Sequence, residues 1–304
     1  MPSTIYFLIT EKVHMLDLSG MLQVFQESAK YGVKYELQYI ATKTAIVTSS
    51  GLEISNLKLH DQFTPAVYDI ICIPGGSDSR AAINLDSFFD WLREAHAKGA
   101  SICSICSGAF LLARSGLLNG RSCTTHWALI DQLQSQFPKL SVKKDILFTK
   151  DGKVYTSAGF TTGVDLALFM LEERHGSEIT SKVARELVVY IRRDGADHQL
   201  SIFLQFRSHQ DDKMHVVQDW IIQNIDKKSS IDDLADRFHM SPRNLSRTFK
   251  KTTGITITEY RNKVRIEKAN KLMKTSDYKM DHIAELCGYS NARQLRNLLN
   301  TASK

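Results

Sequence analysis

Cys106 is the residue of this chain best placed to do chemistry. It stands in Ser104-Ile105-Cys106-Ser107-Gly108-Ala109-Phe110, where side chains with little bulk flank a single thiol. Small and apolar residues from Ala100 to Ile105 read as a buried strand, and Ala109 to Ala113 as the start of an amphipathic helix. The thiol therefore falls on a tight strand-to-helix turn, the geometry that exposes the nucleophile of many hydrolases. The unpaired N–H groups and dipole of the following helix are expected to favour the thiolate. A buried cysteine held by packing alone fits the same residues.

Other stretches offer partners. Val67 to Ile73 is an apolar strand ending in Pro74-Gly75-Gly76, which is either a plain turn or a place where backbone N–H groups face a ligand. Asp17, in His14-Met15-Leu16-Asp17-Leu18-Ser19-Gly20, reads as the N-cap or first-turn acid of a helix or as a functional carboxylate. His126 supplies an imidazole that could act as a base. Cys103 and Cys106 form a C-x-x-C, but one half lies inside a strand and no second pair completes a zinc site, so no zinc or thioredoxin-like centre is expected of that pair, while oxidation of Cys106 alone as a sensor stays open. Five cysteines at irregular spacing argue against a disulfide framework and for a reducing cytoplasm.

The elements around these residues alternate. Thr4 to Thr10 and Tyr35 to Thr42 read as strands, and Asp17 to Tyr31 as a helix with Leu18, Met21, Leu22, Phe25 and Ala29 along one stripe. Ala128 to Phe137, Gly163 to Glu173 and Ser177 to Arg192 read as helices, and Val142 to Thr149 with Lys153 to Ser157 as a hairpin turned at Asp151-Gly152. Such alternation predicts an α/β fold, a doubly wound parallel sheet whose ligands bind beyond the carboxyl ends of the strands. That domain is expected over residues 1–200, with a polar linker at 201–213.

From 214 to 304 the texture changes to short helices. Val217, Trp220, Ile221 and Ile225 form one stripe, Ser230-Ile231-Asp232-Asp233 starts a helix with a capping-box pattern, and His239-Met240-Ser241 turns into a second. Ser241 can cap and Pro242 suits the first helical position, so Arg243 to Thr253 becomes a recognition helix with Leu245 and Phe249 inward. The unit recurs: Ile283 to Tyr289 and Asn291 to Asn300 place Leu295 and Leu299 fifty residues after Leu245 and Phe249. Candidate DNA contacts are Ser241, Arg243, Asn244, Arg247 and Lys250 in the first unit and Asn291, Arg293 and Arg296 in the second, residue types that meet base edges or phosphates. Charge agrees: residues 206–304 hold 19 Lys and Arg against 12 Asp and Glu, while 1–205 hold 20 against 21. Nothing in the 304 residues reads as a membrane span or signal peptide.

Cys106-Ser107-Gly108-Ala109-Phe110-Leu111-Leu112-Ala113, Gly116 to Arg121, Thr124-Thr125-His126-Trp127, Thr156 to Gly159, Gly163 to Leu168 and Arg192 to Gly195 together resemble the PfpI/ThiJ-like, class I glutamine amidotransferase-like domain. The set is similar to the GlxA branch of regulators, in which an AraC-type DNA-binding domain follows; Thr253 to Arg261 and Ile266 to Lys274 resemble the AraC/XylS connecting helix. The chain departs from that pattern by ending at Lys304, before the closing helix of the second helix-turn-helix unit, which is expected to leave Leu298 and Leu299 short of cover.

The resemblance implies a cytoplasmic transcription regulator that binds operator DNA, with an effector pocket bounded by Asp17, Gly75, Gly76, Cys106, Ser107 and His126, a homodimer, and no cofactor. Two recognition helices on one connecting helix would enter successive major grooves about 34 Å apart. In isonitrile-hydratase-like relatives an acid beside the cysteine takes part in catalysis, so Asp17 and Cys106 would be the carboxylate and nucleophile of the alternative, a hydratase or amide hydrolase. PfpI-type peptidases place their histidine directly after the cysteine. Here that position is Ser107, which disfavours a peptidase and sets His126 aside as its base.

Overall fold

The computed structural model describes residues 3–80, 85–190 and 192–302, and the chain divides into two compact units, 1–199 and 200–304. In the first, strands β1 (Thr4–Leu8), β2 (Glu36–Ala41), β3 (Ala45–Val47), β4 (Glu53–Ser55), β5 (Lys58–Leu59), β6 (Ile70–Ile73), β7 (Ser101–Ile105), β8 (Ser122–Cys123), β9 (Ser141–Val142), β10 (Phe148–Asp151) and β11 (Val154–Ser157) alternate with helices α1 (Met15–Glu27), α2 (Asp86–Ala97), α3 (Gly108–Arg114), α4 (Ile130–Gln136) and α5 (Thr161–Glu186). Seven strands make one sheet in the order β10-β11-β7-β6-β1-β2-β5, parallel except for the β10–β11 hairpin. Two cores lie on its two faces: Ile5, Phe7, Met21 and Phe25 with Leu166 and Leu171 on one, Leu8, Ile71, Phe88 and Phe110 with Leu112 on the other. Strands covered on both faces carry no charge, which is why β6 reads as an unbroken apolar run and β7 as a run of small and apolar residues.

Sheet order reverses at β1, which pairs β2 on one side and β6 on the other. The loops leaving β1, β6, β7 and β11 converge beyond the carboxyl ends, where doubly wound sheets keep their ligands. Helix α5 consists of two helical segments parted at Gly176 (φ 83°, ψ 170°), matching the two helices read from the sequence. It stops at Glu186, and Val188 then takes a positive φ of 54°.

The second unit contains α6 (Ile202–Gln205), α7 (Asp212–Gln223), α8 (Ile231–Arg237), α9 (Pro242–Thr253), α10 (Ile257–Thr275), α11 (Met280–Leu286) and α12 (Ala292–Ala302). Part of the stretch expected to be a linker is folded: Ile202 is buried among Met214, Val217, Leu245, Phe249 and Tyr260, and Arg207 pairs with Asp219. The polar texture at 201–213 reflects caps and ion pairs at helix starts, with Ser201 accepting from Phe203 N and Asp211 from Met214 N. Helix α10 gives Tyr260 and Val264 to that core and Ala269 to a second one around Ile283, Ala284 and Leu295. Leu298 and Leu299 are half-buried, and Leu299 packs against the second core.

Candidate functional site

The β7–α3 turn places Cys106 at φ 55°, a left-handed conformation that a non-glycine residue holds only when its surroundings enforce it. Cys106 N donates to Ser157 O at 2.9 Å, and its carbonyl accepts from Thr125 Oγ1 at 2.7 Å. Close approach also needs two glycines. A Cβ on Gly159 would lie 2.9 Å from Cys106 Sγ, and one on Gly75 would lie 2.6 Å from Asp17 Oδ2. The Gly76 N–H does not point into the pocket as a ligand-facing Pro-Gly-Gly turn requires: Ser107 Oγ accepts it at 3.0 Å and donates back to Gly76 O at 2.9 Å.

Asp17 is not the N-cap of α1; His14 is, and Asp17 sits fully buried in the first turn. Its Oδ1 accepts from Phe160 N at 2.5 Å. Its Oδ2 lies 3.4 Å from His14 Nδ1, and neither atom has a hydrogen-bond partner. The His14 ring stacks on Phe160, centroids 5.7 Å apart at 13°. Phe160 meets His126 edge-on at 5.9 Å, and a pocket of about 200 Å³ opens among His14, Gly76, Cys106, Ser107, His126 and Phe160. Gln199 Nε2 donates to Ile146 O and Thr125 O, holding the segment that carries His126. His14 and Phe160 were missed in the sequence; the His14/Asp17 i,i+3 spacing was the signal for the first, and nothing local marked the second.

The electrostatics reverse the expectation of an activated thiol. Burial, and then the Asp17 carboxylate, push the Cys106 thiol up to about 12, against the opposing N–H of Ser107. The helix terminus does contribute, but Cys106 is 3% exposed, and the enclosure outweighs it. Asp17 is itself raised by burial, opposed by the Phe160 N–H and by His14. His126 is lowered, first by burial. Cys103 faces away from this site: its sulfur sits 3.2 Å from Cys72 Sγ in the core, so the C-x-x-C spacing brings no second thiol to Cys106.

In the second unit, Arg243, Asn244, Arg247 and Lys250 are exposed on α9, and Arg293 and Arg296 on α12, with Leu245, Phe249 and Leu295 buried beneath them. Ser241 and Asn291 occupy the same place in the two repeats. Ser241 Oγ accepts from Asn244 N at 3.3 Å and Asn291 Oδ1 from Gln294 N at 3.0 Å, so each caps its helix. Asn244 Oδ1 accepts from Arg247 Nη2 at 3.3 Å, which pairs the two central polar groups of α9. Arg265 lies over Tyr289 at 4.9 Å, and Arg261 Nη1 donates to Ser229 O at 2.7 Å, tying α10 to the loop before α8 and to the α11–α12 turn.

Residues 3–173 match the DJ-1/PfpI family, and residues 234–301 match a helix-turn-helix domain. The HTH-type transcriptional regulator GbdR of Pseudomonas aeruginosa is 25% identical over 292 residues, 95% of this chain and 78% of that protein. Isonitrile hydratase of Pseudomonas putida is 29% identical over 181 residues, 60% of this chain and 76% of the hydratase. The crystal structure of Drosophila melanogaster DJ-1beta superposes with a TM-score of 0.54 at 24% identity, over 62% of this chain and 98% of that one. An elbow cysteine beside a buried acid, on this sheet and with this sequence match, places the chain in the DJ-1/PfpI family, with a helix-turn-helix domain behind the family domain.

Proposed function

We propose that this protein is a sequence-specific DNA-binding transcription regulator whose DJ-1/PfpI domain takes a small-molecule effector beside Cys106 and holds two copies together. One observation carries the reading: two helix-turn-helix repeats expose Arg243, Asn244, Arg247 and Lys250 on α9 and Arg293 and Arg296 on α12. They are borne on the connecting helix α10, in the part of the chain that holds the whole basic excess. Similarity to the regulator GbdR across both units supports it. The five free thiols suit a reducing cytoplasm. An effector shifts DNA affinity only by its differential affinity for the free and DNA-engaged arrangements, typically about 5- to 150-fold.

The test is a salt titration of the purified protein on genomic fragments flanking its own gene against scrambled DNA. A specific fragment whose binding weakens steeply with salt supports the reading; equal binding to both DNAs at every salt concentration overturns it.

A second reading, a hydratase or amide hydrolase using Cys106 and Asp17, is favoured by the buried Asp17 carboxyl beside the elbow thiol, and by the similarity to isonitrile hydratase. The protonated thiol weighs against it. Turnover of an isonitrile or simple amide that is lost in Cys106→Ala would establish it.

A further inference from the structure

We propose that His14 Nδ1, Asp17 Oδ2 and Cys106 Sγ form a binding site for a divalent cation of the zinc class, with its fourth coordination position open to the pocket. One ligand atom from each of these three residues lies within 4.8 Å of the others, and among the described residues they form the one such group of His, Cys, Asp and Glu side chains. The site goes beyond the regulator reading and does not depend on it.

Three independent features point to a cation there. First, Zn–N of about 2.0–2.1 Å and Zn–O of about 2.0–2.2 Å with tetrahedral angles require ligands about 3.4 Å apart, and His14 Nδ1 stands 3.4 Å from Asp17 Oδ2. Second, both of those atoms are buried, Asp17 being 0% exposed, and neither makes a hydrogen bond of ordinary geometry; the side chains facing Asp17 are those of the other two members of the group, His14 and Cys106. Third, the outer supports of a metal site exist. Phe160 N fixes Asp17 Oδ1, leaving Oδ2 to face inward, and the stacked Phe160 ring fixes the plane of the His14 imidazole.

The donor set selects the metal. A thiolate, an imidazole and a carboxylate suit zinc or cobalt, while magnesium and calcium require oxygen ligands. Charge is also balanced: one thiolate, one carboxylate, a neutral imidazole and a divalent cation sum to zero, the state that a buried site tolerates best. Binding forms the metal–sulfur bond as the S–H proton leaves to solvent, with no change of oxidation state. The fourth position opens on the pocket of about 200 Å³ where His126 lies.

The test uses the full chain, stripped of metal by chelation and then titrated with Co²⁺ in the absence of DNA, so that failure of the DNA-binding reading leaves it intact. One equivalent of Co²⁺ is expected to give a thiolate-to-cobalt charge-transfer absorption with ligand-field bands of tetrahedral intensity, displaced by Zn²⁺. Cys106→Ser should abolish the charge-transfer band. His14→Ala, at a partly exposed helix start, should weaken Co²⁺ binding at least ten-fold while the metal-free protein stays folded. Cobalt bound without the charge-transfer band, or a band that persists in Cys106→Ser, overturns the site. Should Cys106→Ser not fold, an unaltered Co²⁺ affinity in His14→Ala overturns it instead.

Discussion

Gly159 lies so close to Cys106 that a methyl group on it would come within 2.3 Å of the Cys106 Cβ and 2.9 Å of its sulfur. The glycine also sits at φ 101°, which side-chain-bearing residues rarely adopt. Gly159→Ala is therefore expected to destabilise the protein by about 2–4 kcal/mol, overpacking and left-handed strain acting together. Gly120 separates the two effects, since it has φ 73° and a Cβ there would meet nothing within 4 Å. Gly120→Ala should cost only about 1 kcal/mol in urea unfolding, and equal losses at the two sites would show that the Gly159 loop yields freely.

The thiol of Cys106, held at about 12, is expected to react slowly with iodoacetamide. At pH 8 the thiolate fraction is about one in ten thousand, and the rate should rise about ten-fold per pH unit up to the limit set by unfolding. Asp17→Asn removes the neighbouring negative charge, the second cause of the shift, and should speed alkylation of the metal-free protein. A fast, pH-independent reaction between pH 7 and 8 would mean that the thiolate is stabilised after all.

Arg247 is exposed at the centre of α9 and tethered to Asn244. Arg247→Ala is expected to weaken specific DNA binding by about 1–3 kcal/mol if the guanidinium reads a base edge, with the loss confined to one operator position. If it meets a phosphate, affinity should fall about equally on all sequences, and the slope of log K against log salt should shrink by about one. Fluorescence anisotropy on a panel of single-base operator variants at two salt concentrations distinguishes the two. Unchanged binding in both series would remove α9 from the interface.

Much of this arrangement was legible in local pattern. The apolar runs gave β6 and β7, the small residues around Cys106 gave the elbow, and Ser230, Ser241 and Pro242 marked the starts of α8 and α9 where the structure has them. What stayed hidden depends on contacts between distant residues. Asp17 meets Phe160 N across 143 positions, and Gly159 closes over Cys106 from the loop after β11; together they turn an exposed, activated thiol into an enclosed one. The break at Gly176 was legible, by contrast: the two helices read on either side of it are the two segments of α5.

Ser241 poses a question that only a pair of substitutions resolves, because its hydroxyl caps α9 and also stands at a helix N-terminus, a place from which proteins commonly hold DNA phosphates. Loss of the cap in Ser241→Ala should cost about 1 kcal/mol of stability, and DNA binding would fall whether or not the hydroxyl touches a phosphate. Ser241→Asp keeps an oxygen for Asn244 N and suits the positive end of the helix, so its stability should match the parent within about 0.5 kcal/mol. The added negative charge, however, repels a phosphate. If α9 presents its N-terminus to the DNA backbone, Ser241→Asp should be fully stable yet bind DNA more weakly than Ser241→Ala. If the two variants bind in the order of their stabilities instead, the N-terminus of α9 lies away from the duplex, and Ser241 serves the fold alone.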